Sequence, residues 1–405
     1  MTRKWRGASA VGLLAGLALV VSACGGSSES SSQSSAAPAS ASAAASAAAS
    51  EAGTEATGEP LTIGVLNSLT GDLGAVGQQE QKGMDLAVDV VNAAGGINGR
   101  PLALEYIDDA GSVNQSTQGF KELAASYPVI VGPGISAQAA AVAPLADEYG
   151  VTSLLIVAQP TVANGTKNVF TTPPPGSANS QAMVDWAASK GAKTGALIYA
   201  NNPYGQEGDT AINAAAPEAG IEMLNSEGWD PTKFDFTAQA QKVADLNPDV
   251  VFLYGAGGTS DALLLKAVVD SGYEGQIVGD LTSAAPFIPE TAGNEAAERV
   301  VALTAFNPVA PSPAQQAFID AYTAKFGEAP SVLGLYAYDA VSLAAAGLAG
   351  TADPADGNAV AQTIEGLNFE GAVGTYEYSP EYRGGPGAAA FSAVTFKDGQ
   401  LAVPQ

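Results

Sequence analysis

From residue 61 onward the apolar positions of this chain fall into two alternating rhythms. Short, nearly unbroken apolar runs at 61–66, 102–107, 129–131, 153–157, 196–199, 250–254 and 276–278 have the length and composition of buried strands. Between them the spacing changes to i, i+3, i+4. Met84, Ala87, Val88, Val91 and Ala94 mark one helical face, stopped by Gly95-Gly96. Further helices are predicted over 137–149, after Gly205 and over 260–271. Repeated strand–helix units predict an α/β fold with mostly parallel sheets covered on both faces. Ligands of such sheets bind beyond the C-terminal strand ends. The loops that matter are therefore 67–77, 132–136, 158–161, 200–205, 255–260 and 279–283.

Upstream of residue 60 the pattern is different. Arg3, Lys4 and Arg6 precede an apolar run from Val11 to Val21, which ends in Val21-Ser22-Ala23-Cys24. A charged start, a short apolar run and a small-residue cleavage site make residues 1–23 a secretory signal. The run is shorter than the roughly 20 residues a spanning helix needs. Val-Ser-Ala-Cys resembles the lipobox of bacterial lipoproteins, which implies acylation of Cys24 and an anchor in the cell membrane. Residues 24–59 are mostly Ser, Ala, Gly and Thr and bury too little apolar surface to order themselves. They read as a flexible tether holding a body outside the cytoplasm, attached to the membrane without spanning it.

Composition narrows the chemistry of that body. Residues 60–405 are too many for one comfortable core and suit two lobes. The 16 Lys and Arg against 41 Asp and Glu give a net charge of −25, and loss of Arg3, Lys4 and Arg6 with the signal leaves −28. Such a balance argues against a nucleic-acid partner. Cys24 is the only cysteine and there is no histidine, so a thiol nucleophile, a disulfide framework and the commonest general base are missing. No nucleophile–base pair emerges, and the expectation is a binding protein with no cofactor and no metal rather than an enzyme.

The motifs then add a family. Ile63-Gly64, Leu69-Thr70-Gly71, Gly83-Met84 and the run from Val91 to Arg100 resemble the opening of the leucine/isoleucine/valine-binding proteins. The match continues through Asp108-Asp109, Gly132-Pro133 with Ser136, Tyr204-Gly205, Asp235-Phe236 and Pro248-Asp249-Val250-Val251. It ends with Pro330-Ser331, Tyr338-Asp339-Ala340-Val341 and Gly371-Ala372-Val373-Gly374. These are type I periplasmic binding proteins that serve ABC importers. The resemblance implies two Rossmann-like lobes with three crossings, near 173–175, 304–307 and 371–374. Lobe 1 would hold 60–174 and 304–370, and lobe 2 would hold 175–303 and 371–405. It also implies a small-molecule ligand, a permease and ATPase as partners, and a monomer.

Ser136 is the leading site residue. A Gly-Pro-Gly loop there enters a helix whose first turn, Ala137, Gln138 and Ala139, has no acid for the free N–H groups. A ligand carboxylate would fill that place; the alternative is a plain N-cap serine. The family's carboxylate-binding serine falls on this position. By the same resemblance Tyr204 covers the ligand from lobe 2, Asp280 meets a ligand ammonium, Thr70 lies in the first loop, and Gln159 or Thr161 supplies a donor. Asp280 reads equally well as a turn or cap residue.

The chain departs from the branched-chain amino-acid binders in three places. Val76 stands where they carry an aromatic, Gly255-Ala256-Gly257-Gly258 replaces a second one, and 158–161 differs from their Ala-Thr pair. These changes point to a roomier cleft or to a ligand that is not a simple aliphatic amino acid. The glycine run lacks the Lys-Ser/Thr of a phosphate loop. Asp108-Asp109 and Asp353 with Asp356-Gly357 lack the alternating ligands of a calcium loop and read as caps and turns. The expected function is capture of a small carboxylate-bearing solute for import. A tethered sensor with the same clamshell, or a binder of an aromatic acid or amide, remains the alternative.

Overall fold

The computed structural model describes residues 56–404 except 72, 73, 231, 232, 256–258 and 286. The predicted signal 1–23, Cys24 and nearly all of the 24–59 tether lie outside the described residues.

The predicted strand–helix rhythm produces two sheets. The first contains β1 (Leu61–Asn67), β2 (Leu102–Asp108), β3 (Val129–Val131), β4 (Thr152–Leu155) and β5 (Val169–Thr171), in the order β2-β1-β3-β4-β5. All its pairings are parallel. The second begins with β6 (Thr194–Ala200), β7 (Glu222–Trp229), β8 (Val250–Tyr254), β9 (Gln276–Gly279) and β10 (Val300–Thr304). After a separate hairpin of β11 (Asn368–Glu370) and β12 (Thr375–Glu377), it is completed by β13 (Ser392–Lys397) and β14 (Gln400–Ala402). Its order is β14-β13-β10-β9-β8-β6-β7, with β13 and β14 antiparallel. The parallel part, β7-β6-β8-β9-β10, repeats the order of the first sheet. Each sheet and its helices form one lobe.

Both faces of each sheet are buried. One face of the first sheet packs Ile63, Val65, Val129 and Val131 under the Gly74–Ala93 and Val332–Gly350 helices. The other face packs Leu66, Ile130 and Leu155 against Phe120, Leu123 and Val142. The second sheet has the same two-sided arrangement. Val332–Gly350 is long and apolar enough to cross a membrane, yet most of it is buried as the core helix of lobe 1. Its approach to the Gly74–Ala93 helix requires a glycine: a Cβ on Gly83 would stand 1.9 Å from the Gly334 carbonyl oxygen.

The chain passes between the sheets three times. The first passage runs from Thr171 through the buried Pro173-Pro174-Pro175 to Gly176, and the second leaves β10 at Thr304. The third is displaced from the expected 371–374. That turn belongs to the core of lobe 1, where the Ala372 and Val373 N–H groups donate to Asp339 at 2.8 Å each and the Tyr376 hydroxyl donates at 3.0 Å. Tyr378 continues there, donating to Thr171 O at 3.0 Å with its ring 4.8 Å from Phe170. Arg383 pairs with Glu365, and only between Arg383 and Ser392 does the chain cross. A buried carboxylate with three donors holds the turn more firmly than a hinge would be held.

Candidate functional site

A parallel sheet of order 2-1-3-4-5 opens a crevice where the chain direction reverses, beyond the C-terminal ends of its first and third strands. In lobe 1 that crevice lies between β1 and β3, and the loop after β3 carries Ser136. In lobe 2 it lies between β6 and β8, and the loop after β6 carries Tyr204. The repeated order therefore brings each of the two leading residues to the crevice of its own lobe, Ser136 after the third strand and Tyr204 after the first.

Ser136 is exposed and is the first residue of the Ser136–Tyr149 helix. Ile135, not Ser136, occupies the N-cap; no side chain caps this end and the first turn holds no acid. The plain N-cap reading is thus set aside, leaving Ser136 exposed and the helix start without a side-chain acceptor. Gln159 and Thr161 lie just beyond β4. Gln159 is half-buried and makes no cap hydrogen bond, and Thr161 is exposed on the Pro160–Ala163 turn of 3-10 helix.

Tyr204 is half-buried, its ring centroid 4.8 Å from that of Tyr254. Its hydroxyl is buried beside Tyr254 and Asp280 without a well-aligned hydrogen bond to either, and burial pushes the phenol well above its usual range. The exposed part of Tyr204 excludes the hydroxyl, and an aromatic ring at a strand-end loop suits covering a solute.

Two expected residues are placed differently. Asp280 is completely buried. It caps the Leu281–Ala284 turn, accepting from Thr282 N at 3.2 Å and Thr282 Oγ1 at 2.6 Å, and from Gly255 N at 3.3 Å. Burial, with nearby Asp261 adding to it, pushes its carboxyl up to about 7 despite those donors. The cap reading holds, and the carboxylate points away from solvent. Thr70 is exposed, but its hydroxyl donates to Asp108 Oδ2 at 2.6 Å and its N–H to Oδ1 at 3.3 Å. It ties the loop after β1 to the end of β2. The acids read as caps do cap: Asp356 accepts from Asn358 N at 2.9 Å at a helix start.

The structure adds two features that the sequence reading missed. A cleft of about 1220 Å³ runs between the lobes, bounded by Gln79, Val332 and Leu333 of lobe 1 and by Leu281, Thr282 and Phe287 of lobe 2. Leu281 follows Asp280 directly, so the signal was one residue away. The second feature is Glu80, 1 % exposed, whose carboxylate fills the space a Gly134 side chain would need. An added Cβ there would fall 2.1 Å from Glu80 Oε1. Glu80 thus supports the loop leading to Ser136, and its neighbour Gln79 lines the cleft. Burial first, and Asp109 second, push Glu80 up to about 8. Glu80 stands four residues before Met84, on the apolar face, and that spacing was the available clue.

Comparisons with known proteins agree with this architecture. The model of the family described as "Periplasmic binding protein" matches residues 60–400. Leu/Ile/Val-binding protein homolog 3 of Brucella melitensis biotype 1 is 28% identical over 348 residues, covering 84% of this chain and 92% of that protein. A structure described as a branched-chain amino acid ABC transporter protein from Rhodospirillum rubrum superposes with a TM-score of 0.77 at 22% identity, covering 85% of this chain and 100% of that one. A solute binding protein from R. palustris, solved in complex with 4-hydroxybenzoate, gives 0.70 at 19% identity, over 85% and 95% of the chains. The chain belongs to the periplasmic binding protein family, and within it to the type I proteins related to the Leu/Ile/Val-binding proteins.

Proposed function

We propose that this protein is the extracytoplasmic solute-binding component of an ABC importer, tethered to the cell membrane through an acylated Cys24. It captures a small carboxylate-bearing solute between its lobes and hands it to a permease and its ATPase as a monomer. The observation that carries the reading is the uncapped helix start at Ser136 on the crevice of lobe 1, with Tyr204 at the crevice of lobe 2. The Brucella relative's name and the membership of the family support solute capture, and the signal-like segment supports export.

Two results are expected. Ser136→Ala weakens binding roughly 10- to 100-fold, since a hydrogen bond to a charged group contributes about 1.5–3 kcal/mol. Calorimetry showing the same affinity in variant and parent would rule out the carboxylate role. Saturating solute also draws the lobes together. A radius of gyration by small-angle scattering that does not shrink on solute addition would speak against closure.

A further inference from the structure

Lobe 2 carries another cavity, of about 600 Å³, a size common among small-molecule sites. Strand direction places it. Gln276 opens β9, Arg299 directly precedes β10, and antiparallel β13 ends at Lys397, so all three lie where the parallel strands start. The crevice of lobe 2 lies beyond the opposite ends of those strands. Trp186 and Lys190, from the end of the Gly176–Ser189 helix, line the cavity together with Val301, Ala402 and Val403.

The charge of this lining is opposite in sign to that of the chain. Setting aside Arg3, Lys4 and Arg6 leaves 16 − 3 = 13 Lys and Arg, of which Lys190, Arg299 and Lys397 meet here. With Glu298 the lining charge is 3 − 1 = +2, against −25 for the whole chain. The Glu298 carboxylate is engaged, accepting from Asp398 N at 3.0 Å. Arg299 is held in place: Nη2 donates to Tyr273 O at 3.1 Å and Gly275 O at 3.2 Å, and Nη1 stands 3.7 Å from Glu274 Oε2. The Lys190 ammonium lies 4.7 Å from the centroid of the Trp186 ring. Lys397 is exposed and pairs with no described acid. Gln276 Oε1 is buried without a hydrogen-bond partner, and its amide can serve a ligand as acceptor or, turned over, as donor.

Cations lining one cavity repel one another, and a dianion among them removes that cost while gaining charge-assisted hydrogen bonds. A fixed guanidinium matches the geometry of a phosphate, and lysines add point charge. The Trp186 ring, Val301, Ala402 and Val403 offer apolar surface to whatever the phosphate carries. We propose that this cavity is a second ligand site, which takes an organic phosphate with an apolar or aromatic body. It is separate from solute capture and does not depend on the reading of Ser136.

Calorimetry on the full chain in detergent tests it with phenyl phosphate, inorganic phosphate and phenol, each corrected by titration into detergent alone. The expected result is that phenyl phosphate binds about 10-fold or more tighter than either of the others. Lys397→Gln is expected to weaken it about 5-fold, and the double variant with Lys190→Gln about 20-fold. Both lysines are exposed, so neither change opens the core. Inorganic phosphate or phenol binding as tightly as phenyl phosphate overturns the ligand class. Unchanged affinity in the double variant, or binding lost in Ser136→Ala instead, puts the anion elsewhere and overturns the site. No binding of phenyl phosphate at about 10 mM overturns the proposal as a whole.

Discussion

Replacing Asp339 with alanine is expected to lower the melting temperature by about 5–15 °C, a larger loss than any surface change would cause. The Ala372 and Val373 N–H groups and the Tyr376 hydroxyl all donate to this carboxylate inside the core of lobe 1. Without it, three donors are stranded away from water, at about 1–3 kcal/mol each. The turn they belong to packs beside Val332–Gly350, so the core helix loses its support as well. Asp339→Asn keeps the shape but presents an amide N–H to backbone N–H groups, and about half the loss is expected. Thermal melts followed by circular dichroism measure both. A fall of less than 2 °C for the alanine variant would mean that water replaces the carboxylate and that the turn is loosely held.

Glu80→Gln should separate from the parent protein as the pH rises. The carboxyl of Glu80 is raised by burial to about 8 in the folded protein, against 4.5 as an ordinary glutamic acid. The folded state therefore holds a proton that the unfolded state gives up. The stability this confers is full below 4.5 and is lost progressively as the pH rises to 8. Over that window the loss is on the order of 4 kcal/mol. Asp339 and Asp280 act in the same direction, but their folded values of about 6 and about 7 leave 7–8 as the interval where Glu80 dominates. Glutamine has no proton to lose. In denaturant titrations the variant is expected to lose little stability between pH 7 and 8, while the parent declines by roughly 1 kcal/mol or more. Parallel declines would show that Glu80 is already ionised in the folded protein at neutral pH.

The fold was legible because its signals are local. Runs such as 250–254 and the Met84–Val91 stripe report burial directly, and βα repetition restricts the topology to a few choices. The C-terminal third was less readable. Residues 371–390 are rich in Gly, Pro and Tyr, and nothing local says which lobe they join. That is decided by the distant Asp339, Thr171 and Glu365. Near the crevice of lobe 1, the acid-free first turn after the Gly132–Ser136 loop was readable, and the uncapped helix start there agrees with it. Asp280 was left open between two readings because a carboxylate after a strand looks the same whether it caps the next turn or meets a solute, and only the fold shows it capping. Glu80 was overlooked because a glutamate in a helix is usually solvated, and only the tertiary contact with Gly134 removes it from water.

The first passage between the lobes also has a mechanical meaning. Pro173, Pro174 and Pro175 are buried in sequence, and the third passage runs alongside them: a Cβ on Gly385 would stand 2.4 Å from Pro173 O. Each proline ring fixes its own φ near −65° and removes an amide hydrogen. A connector built this way resists twisting and behaves as a stiff pin, not a ball joint. In the closure proposed above, such a connector favours rotation about one axis, like that of a door. One spring would then set both how often the empty door stands shut and how much solute is needed to shut it. Sensitivity can therefore be tuned at the pin, by residues that never touch the solute.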